Sequence, residues 1–257
     1  MGHLFLSDVH IGAFDGDLEK VVRQDLIKLL HYCAEDGLQI HILGDLFDYW
    51  MEYPSWKPPL GKDVLEVFKE YSETTAPVNF ITGNHDNWTS GYFEDLGFNV
   101  TSEFLDLTIN ANRFFLHHGD GLKDSSYDLP RPLMHRILRN KMFVKLYQSL
   151  LPPRSGIRLM KAFSDYSKRR AYCDPSVLDK WAEQFLSASD YDYVLCGHDH
   201  QPRVIHFEHG TYVNLGTFFE DRTVALHNNG VLELVVWDAA QNTFYPYEHR
   251  YKKAVNL

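Results

Sequence analysis

Residues 194–200 read VLCGHDH: a short apolar run stops at Gly197 and delivers His198, Asp199 and His200. Two imidazoles beside a carboxylate at the end of a buried strand are costly unless something binds them. Alone, the stretch reads as readily as a polar loop with incidental histidines. Four other apolar runs end the same way. HLFLSDVH (3–10) leads into Asp8 and His10, and QIHILGDLFD (39–48) into Asp45 and Asp48. VNFITGNHD (78–86) leads into Asn84, His85 and Asp86, and RFFLHHGD (113–120) into His117, His118 and Asp120.

Between the first three runs lie helical patterns. Residues 17–36 carry Leu18, Val21, Val22, Leu26, Leu29 and Leu30 at helical spacing, and residues 62–75 carry Val64, Leu65, Val67 and Phe68. Alternating strand and helix predicts a sheet covered on its faces, with ligands beyond the carboxyl ends of its strands. All five polar clusters are therefore expected at one edge. Alternate residues leaving a strand point the same way, so His198 and His200 should face the site together while Asp199 turns away. By the same rule His118 faces the site and His117 the core. His3, His41, His206 and His209 fall in strands or turns and are expected to be structural.

The gathered residues Asp8, His10, Asp45, Asn84, His118, His198 and His200 offer oxygen and imidazole nitrogen and no thiolate. That donor set suits Mn²⁺, Fe²⁺, Co²⁺ or Zn²⁺. Seven groups exceed one tetrahedral ion and suit two ions roughly 3.5–4 Å apart, one carboxylate bridging, as in phosphoryl hydrolases. The glycines of GDLFD, GNHD, HGD and GHDH let the backbone turn close to such a site.

The bulk properties set limits. The chain has 257 residues and a net charge of −10, which argues against a nucleic-acid binder as a whole. Its three cysteines are widely spaced and odd in number, as in a reducing compartment. The first strand candidate begins at His3, leaving no room for a signal peptide, so a cytoplasmic protein is expected. Charge is uneven. Residues 131–172 hold eleven Lys or Arg and one acid, Asp165, so this segment is +10 and the remainder −20. Leu133, Ile137, Val144, Tyr147 and Leu151, widened by Phe143, Leu146 and Leu150, predict an apolar-striped helix ending at LPPRSG (151–156). A second helix is expected over residues 157–172. A basic, apolar helical hairpin above a phosphate-cleaving site suits an anionic lipid. A metal-dependent phosphodiesterase, nuclease or other phosphatase is the alternative, with the basic segment gripping a phosphate backbone.

The ordered set D-x-H, G-D-x-x-D, G-N-H-D, H-G-D and G-H-x-H resembles the calcineurin-like metallophosphoesterases. That resemblance implies an α/β fold, a four-layer α/β/β/α sandwich with a helical cap. It assigns Asp8, His10, Asp45 and His200 to one metal, and Asp45, Asn84, His118 and His198 to the other. It gives His85, Asp45 and Asn84 catalytic roles, His85 as general acid for the leaving group. Asp48 and Asp86 would sit behind the ligands, Asp48 orienting a ligand and Asp86 orienting His85. RVIHFEHGTYVNLG, TVALHNNGVLELVVWD and FYPYEH would complete the second sheet, with a hairpin turn at HNNG (227–230).

GDLFDYW (44–50), HGD and the basic insertion ending SDYSKRR resemble the UDP-2,3-diacylglucosamine pyrophosphatase family of lipid A biosynthesis, across essentially the whole chain. The resemblance implies hydrolysis of a lipid-linked UDP-sugar to UMP and a sugar 1-phosphate at two divalent ions, Mn²⁺ foremost. It implies a cytoplasmic enzyme peripheral to the inner membrane, with no nucleic-acid partner. Residues 1–257 would form one domain carrying residues 123–173 as a helical lid. Substrate contacts would come from Asn84, His85, Asp124, Ser167, Lys168 and His198. The better-known members carry arginine where this chain has His85.

Overall fold

The computed structural model describes residues 1–168 and 174–247, those of 163–168 as backbone only. The chain opens with β1 (His3–Leu6), α1 (Asp17–Glu35), β2 (Gln39–Leu43), α2 (Lys62–Thr74), β3 (Val78–Ile81), α3 (Tyr92–Asp95) and β4 (Phe98–Thr101). A hairpin follows, β5 (Phe104–Ile109) and β6 (Asn112–His117), then α4 (Leu133–Leu138), α5 (Lys141–Leu150), α6 (Pro153–Lys168) and α7 (Pro175–Ala188). The last stretch holds β7 (Tyr193–Cys196), β8 (Arg203–Phe207), β9 (Gly210–Asn214), α8 (Phe218–Asp221), β10 (Thr223–Asn228), β11 (Val231–Asp238) and β12 (Thr243–Pro246).

Two sheets form. One runs β12-β11-β10-β1-β2-β3-β4 and the other β5-β6-β7-β9-β8. Helices α1 and α2 bury Val22, Leu26, Leu29, Leu30, Val64, Leu65 and Phe68 on the outer face of the first sheet. Helix α7 covers the second with Leu178, Trp181, Ala182 and Leu186. Phe5, Leu43, Ile81, Phe114, Leu116, Leu195, Val213 and Ala225 fill the space between the sheets. The expected α/β/β/α layering is the observed one.

The strands after the last polar cluster divide differently from expectation. β8 and β9 join the second sheet, whereas β10, β11 and β12 join the first. β10 runs antiparallel to β1 with Leu4 opposite Leu226 and Phe5 opposite Ala225. Its alternation sends Ala225 between the sheets and Val224 toward α1. Arg222 Nε donates to the Asp25 carboxylate of α1 at 2.8 Å, and Trp237 Nε1 donates to the Asp25 carbonyl at 3.1 Å. The middle of α1 is thus tied to this hairpin. Asn229 and Gly230 turn it with φ of 52° and 83°, the left-handed pair of a two-residue hairpin.

A polar row threads the interlayer. His41 Nε2–H donates to His3 Nδ1 at 3.0 Å, and the Asn79 amide donates to His41 Nδ1 at 3.1 Å. Burial, with His3 beside it, lowers the His41 pKa to about 3. Burial and His227 lower His3 to about 4. His206 pairs with the Thr211 hydroxyl at 3.1 Å and His209 lies in the β8–β9 turn.

The basic segment forms α4, α5 and α6. The single helix expected over residues 133–151 breaks because Asn140 accepts from the amides of Met142 and Phe143, 2.9 and 3.1 Å, and caps α5 afresh. The second helix starts at Pro153, earlier than expected, since proline suits a first helical turn. Leu138, Phe143, Val144, Tyr147 and Met160 pack on Met51, Tyr53, Trp88 and Ile157. Trp88 Nε1 donates to the Leu138 carbonyl at 2.8 Å, and the Gln148 amide donates to the Glu52 carbonyl. An open apolar cavity of about 270 Å³ lies among Met134, Leu138, Phe143, Tyr147, Leu159 and Met160.

Candidate metal centre

Parallel pairing brings the polar clusters to one edge. β1 and β2 align Leu6 with Ile42, so Asp8 and Asp45 leave the sheet side by side. β6 and β7 align Leu116 with Leu195, which sets His118 beside His198. Asp8, His10, Asp45, His198 and His200 have φ of 51°, 53°, 51°, 73° and 62°. Each such left-handed residue costs on the order of 1 kcal/mol, a strain that clusters at functional sites. His198 and His200 therefore reach the site from a left-handed turn and not from the extended alternation expected of them. Asp199 does turn away: its carboxylate receives Arg203 Nη2 at 2.7 Å.

Three groups of His and Asp side chains bring their ligand atoms within 4.8 Å of one another among the described residues: Asp8, His10, His200; His10, Asp45, His85; and Asp8, Asp45, His118. Asp45 is common to two of them. Its Oδ2 lies 3.3 Å from His118 Nε2, 3.9 Å from His10 Nε2 and 4.0 Å from His85 Nε2. Asp8 Oδ1 lies 3.2 Å from His200 Nε2 and 3.6 Å from His10 Nε2, yet has no hydrogen-bond partner. Asn84 Oδ1 is 3.1 Å from His118 Nε2. His198 stands beside His118, ring centroids 5.0 Å apart, outside the three groups.

The imidazoles are aimed from behind. A carbonyl only accepts, so His118 Nδ1–H donates to Leu43 O and His85 Nδ1–H to Asp48 O, both at 2.8 Å. That leaves each Nε2 for the site. The Asp48 carboxylate faces His10 Nδ1 at 3.7 Å. Asp86 does not serve His85 as expected. Its buried carboxylate accepts from the amides of Gly83 and Phe47, 2.7 and 3.3 Å, and so holds the turn itself. Burial, then Asp45, raises its pKa to about 7. Close approach needs glycine: a Cβ at Gly83 would meet Asp45 Oδ1 at 2.0 Å, and one at Gly197 would meet Asp8 Oδ2 at 2.2 Å.

Burial opposes charge on His10, but Asp48 and Asp8 outweigh it and raise the pKa to about 9. Burial likewise loses to Asp45 at His118, raised to about 10. The Asp8 and Asp45 carboxyls are held below the usual range by these same imidazoles despite their burial. His198, buried against His118, is lowered to about 4. A buried unpartnered carboxylate oxygen, convergent Nε2 atoms and an all-oxygen, all-nitrogen donor set fit a divalent cation, which would displace the protons that hold this cluster together.

Substrate residues expected from sequence lie unevenly. Asn84 and His85 are in the cluster. Asp124 is exposed and caps a short turn, its carboxylate accepting from Ser126 N at 2.9 Å. The side chains of Ser167 and Lys168 lie outside the described residues. Phe219 was not legible as a site residue. Its ring stands 5.6 Å from His10 and 5.7 Å from His200, and the adjacent Phe218 amide donates to Asp8 O at 3.1 Å. The GTFFED stretch just past the last motif is the only signal for it. Of the cations counted in the basic segment, Arg139 turns inward onto Asp120 at 2.9 Å, and Arg131 donates to the Glu103 carboxylate at 3.0 Å with its Nε 3.6 Å from Asp120; His135 Nδ1 also lies 3.6 Å from Asp120.

A family model described as calcineurin-like phosphoesterase matches residues 3–202. A UDP-2,3-diacylglucosamine hydrolase of Hamiltonella defensa is 26% identical over 257 residues, 96% of this chain and 97% of its own. That of Aeromonas hydrophila is 26% identical over 242 residues, 90% of this chain and 96% of its own. That of Porphyromonas gingivalis is 31% identical over 152 residues, 58% of this chain and 56% of its own, so the match spans about half of that relative.

Proposed function

Because the chain belongs to the calcineurin-like phosphoesterases, we propose that it hydrolyses the pyrophosphate of a UDP-linked diacylglucosamine, releasing UMP and the acylated sugar 1-phosphate. It is a metal-dependent hydrolase, and its site takes divalent metal ions. On our reading Asp8, His10, Asp45 and His200 hold one ion, Asp45, Asn84, His118 and His198 the other, with Mn²⁺ the native metal. Such ions, when bound, supply an activated water and neutralise phosphoryl charge. The protein's own groups do the rest. Asp48 fixes the His85 ring through its carbonyl, so the exchangeable proton of His85 sits on Nε2, facing the substrate phosphate. Asn84 offers its amide at the same edge, beside His118.

The observation that carries the lipid half is the apolar cavity of the cap. Met134 and Leu138 line it from α4, the helix whose His135 ring stands 6.5 Å from the His198 ring. An acyl chain in that cavity would leave its phosphate at the site. On this reading residues 123–173 act as a lid on a single domain of residues 1–257, of which 169–173 and 248–257 lie outside the described residues. On the outer face Leu133, Met142, Leu146 and Leu150 are exposed among Lys141, Lys145, Arg154 and Arg158, which suits peripheral association with the inner face of an anionic cytoplasmic membrane. Arg131 is paired with Glu103 and Arg139 with Asp120, which leaves fewer cations for a nucleic-acid backbone. No helix among the described residues is long and apolar enough to cross a membrane.

Leu159 lines the cavity while 55% exposed, so its replacement spares the core. Leu159→Asn should raise KM for a diacylated UDP-sugar about tenfold, the worth of one or two buried methylenes, and leave a soluble diester unaffected. Equal handling of both substrates by parent and variant would refute the lipid assignment.

A further inference from the structure

The cap touches the body of the protein in two different ways. On one side the contact is apolar and tight: Trp88 and Ile157 are buried there, and a Cβ at Gly156 would meet the Tyr53 hydroxyl at 2.0 Å. On the other side it is a charge cluster. Arg131, His135 and Arg139 recur at four-residue spacing along α4 and its flanks, so they share one face. All three approach Asp120 Oδ2, Arg131 Nε and His135 Nδ1 at 3.6 Å and Arg139 Nη2 at 2.9 Å.

Arg139 is the centre of this contact. A guanidinium carries five N–H donors in a fixed fork, and here each nitrogen is engaged. Nε donates to Asp120 at 3.2 Å, Nη1 to the Thr82 hydroxyl at 3.2 Å and the Ser102 carbonyl at 3.1 Å. Nη2 donates to the Thr82 carbonyl at 3.0 Å and to Asp120. Thr82 directly precedes Gly83 and Asn84; Asp120 lies two residues after His118. One side chain at the end of α4 therefore ties the cap to the two turns that carry Asn84 and His118, two of the four donors expected at the second metal. The same helix supplies Met134 and Leu138 to the cavity.

We propose that Arg139, with Asp120 as its counter-charge, is a positioning residue: a latch that seats α4 over the metal-site edge and so sets where an acyl-bearing substrate lies relative to the reacting phosphate. This rests on the cap's role as substrate lid in the proposed function. Its chemistry explains why arginine and not lysine stands there, since a lysine has three donors and no fork.

The test uses the full-length, metal-loaded protein and two independent readouts. In Arg139→Met, amide hydrogen exchange across residues 133–150 should quicken at least tenfold while α1 and α2 are unchanged. KM for a diacylated UDP-sugar should rise about tenfold with kcat changed less than threefold. Arg139→Lys should fall between parent and Met variant in both, and it carries the test if the Met variant fails to fold. Asp120→Asn/Arg139→Met should accelerate exchange by less than the two single changes combined, because both remove the same Arg139–Asp120 contact. Unchanged exchange in α4 and α5 would overturn the latch, as would additive acceleration in the double variant. A fall in kcat matching the rise in KM would assign Arg139 to bracing the Asn84 turn instead. If the parent turns over no lipid-linked UDP-sugar, the proposed substrate fails while the exchange arm still decides the latch.

Discussion

His117 and His118 are neighbours in sequence, equally buried, and opposite in their preference for a proton. Burial, with His118 beside it, lowers His117 to about 3. At His118 burial pulls the same way, but Asp45 and Asp8 reverse it and raise the pKa to about 10. The contrast extends to other histidines, though not to His198, which stands at the site edge and is lowered to about 4 by burial and the neighbouring His118. Between the sheets His3, His41 and His227 stand among aromatic rings, with the His3 and His41 rings 5.3 Å apart, and all three are shifted down. At the carboxyl edge of the same strands His10 is shifted up, to about 9, by Asp48 and Asp8. Histidine content alone therefore says nothing about a site. The carboxylate neighbours decide whether a buried imidazole is a packing ring or a group ready to exchange its proton for a cation.

The sharpest way to break the contrast is to remove its carboxylate. Asp45→Ala should lower hydrolysis by roughly 10³-fold or more, the scale of losing a principal stabiliser of transition-state charge, and bound metal should drop below the parent's stoichiometry. Elemental analysis beside an activity assay checks both; an active variant with full metal content would end the dinuclear assignment. His85 stands at the margin of the cluster, its Nε2 4.0 Å from Asp45. Acting as an acid, its loss in His85→Ala should cost about 100-fold on diesters with poor alkoxide leaving groups and far less on a pyrophosphate. Equal losses along a leaving-group series, or loss of bound metal, would instead make His85 a phosphate- or metal-holding residue.

The smallest effect belongs to the interlayer. His41 has its pKa lowered from 6.5 to about 3, so between those values the unfolded chain binds the proton and the folded chain does not. Its contribution to stability is full above pH 6.5 and lost as pH falls toward 3. The loss is about 1.4 kcal/mol per pH unit, or about 2 kcal/mol on going from pH 6.5 to pH 5. Urea unfolding at pH 7 and pH 5 should show this loss, and His41→Gln should shrink it. An undiminished pH dependence in that variant would move the sensitivity to other groups.

Much of this was legible in the chain because the decisive signals are local. Each of the five strand ends joins an apolar run to its own polar residues, and parallel pairing then aligns them without further information. What stayed hidden depended on distant partners. Alternation in TVALHNNGVLELVVWD says that both faces are buried, not which sheet accepts the strands; Asp25 on α1 and its pairing with Arg222 settle that. Counting cations over residues 131–172 could not separate Lys141 and Lys145, left exposed, from Arg131, paired with Glu103, and Arg139, paired with Asp120. The GNHD motif suggested a role for Asp86 toward His85, whereas its service to the Gly83 and Phe47 amides is a property of the folded turn.

The addition of β10 to the first sheet has a consequence for the order in which the protein is made. β1 emerges early and finds β2 soon after, with Leu6 beside Ile42, yet its other edge waits for Leu226 to pair with Leu4. All seven expected donors lie at or before His200, whereas the strands that close this edge occupy Thr223–Asn228 and beyond. A growing chain can thus possess every group its chemistry needs while its central strand still presents a row of unpaired amides and carbonyls. Such an edge invites pairing with another chain, and a contact this remote in sequence closes slowly. Residues 223–246 add nothing to the cluster of donors; their pairing ends the interval in which that edge is open to aggregation.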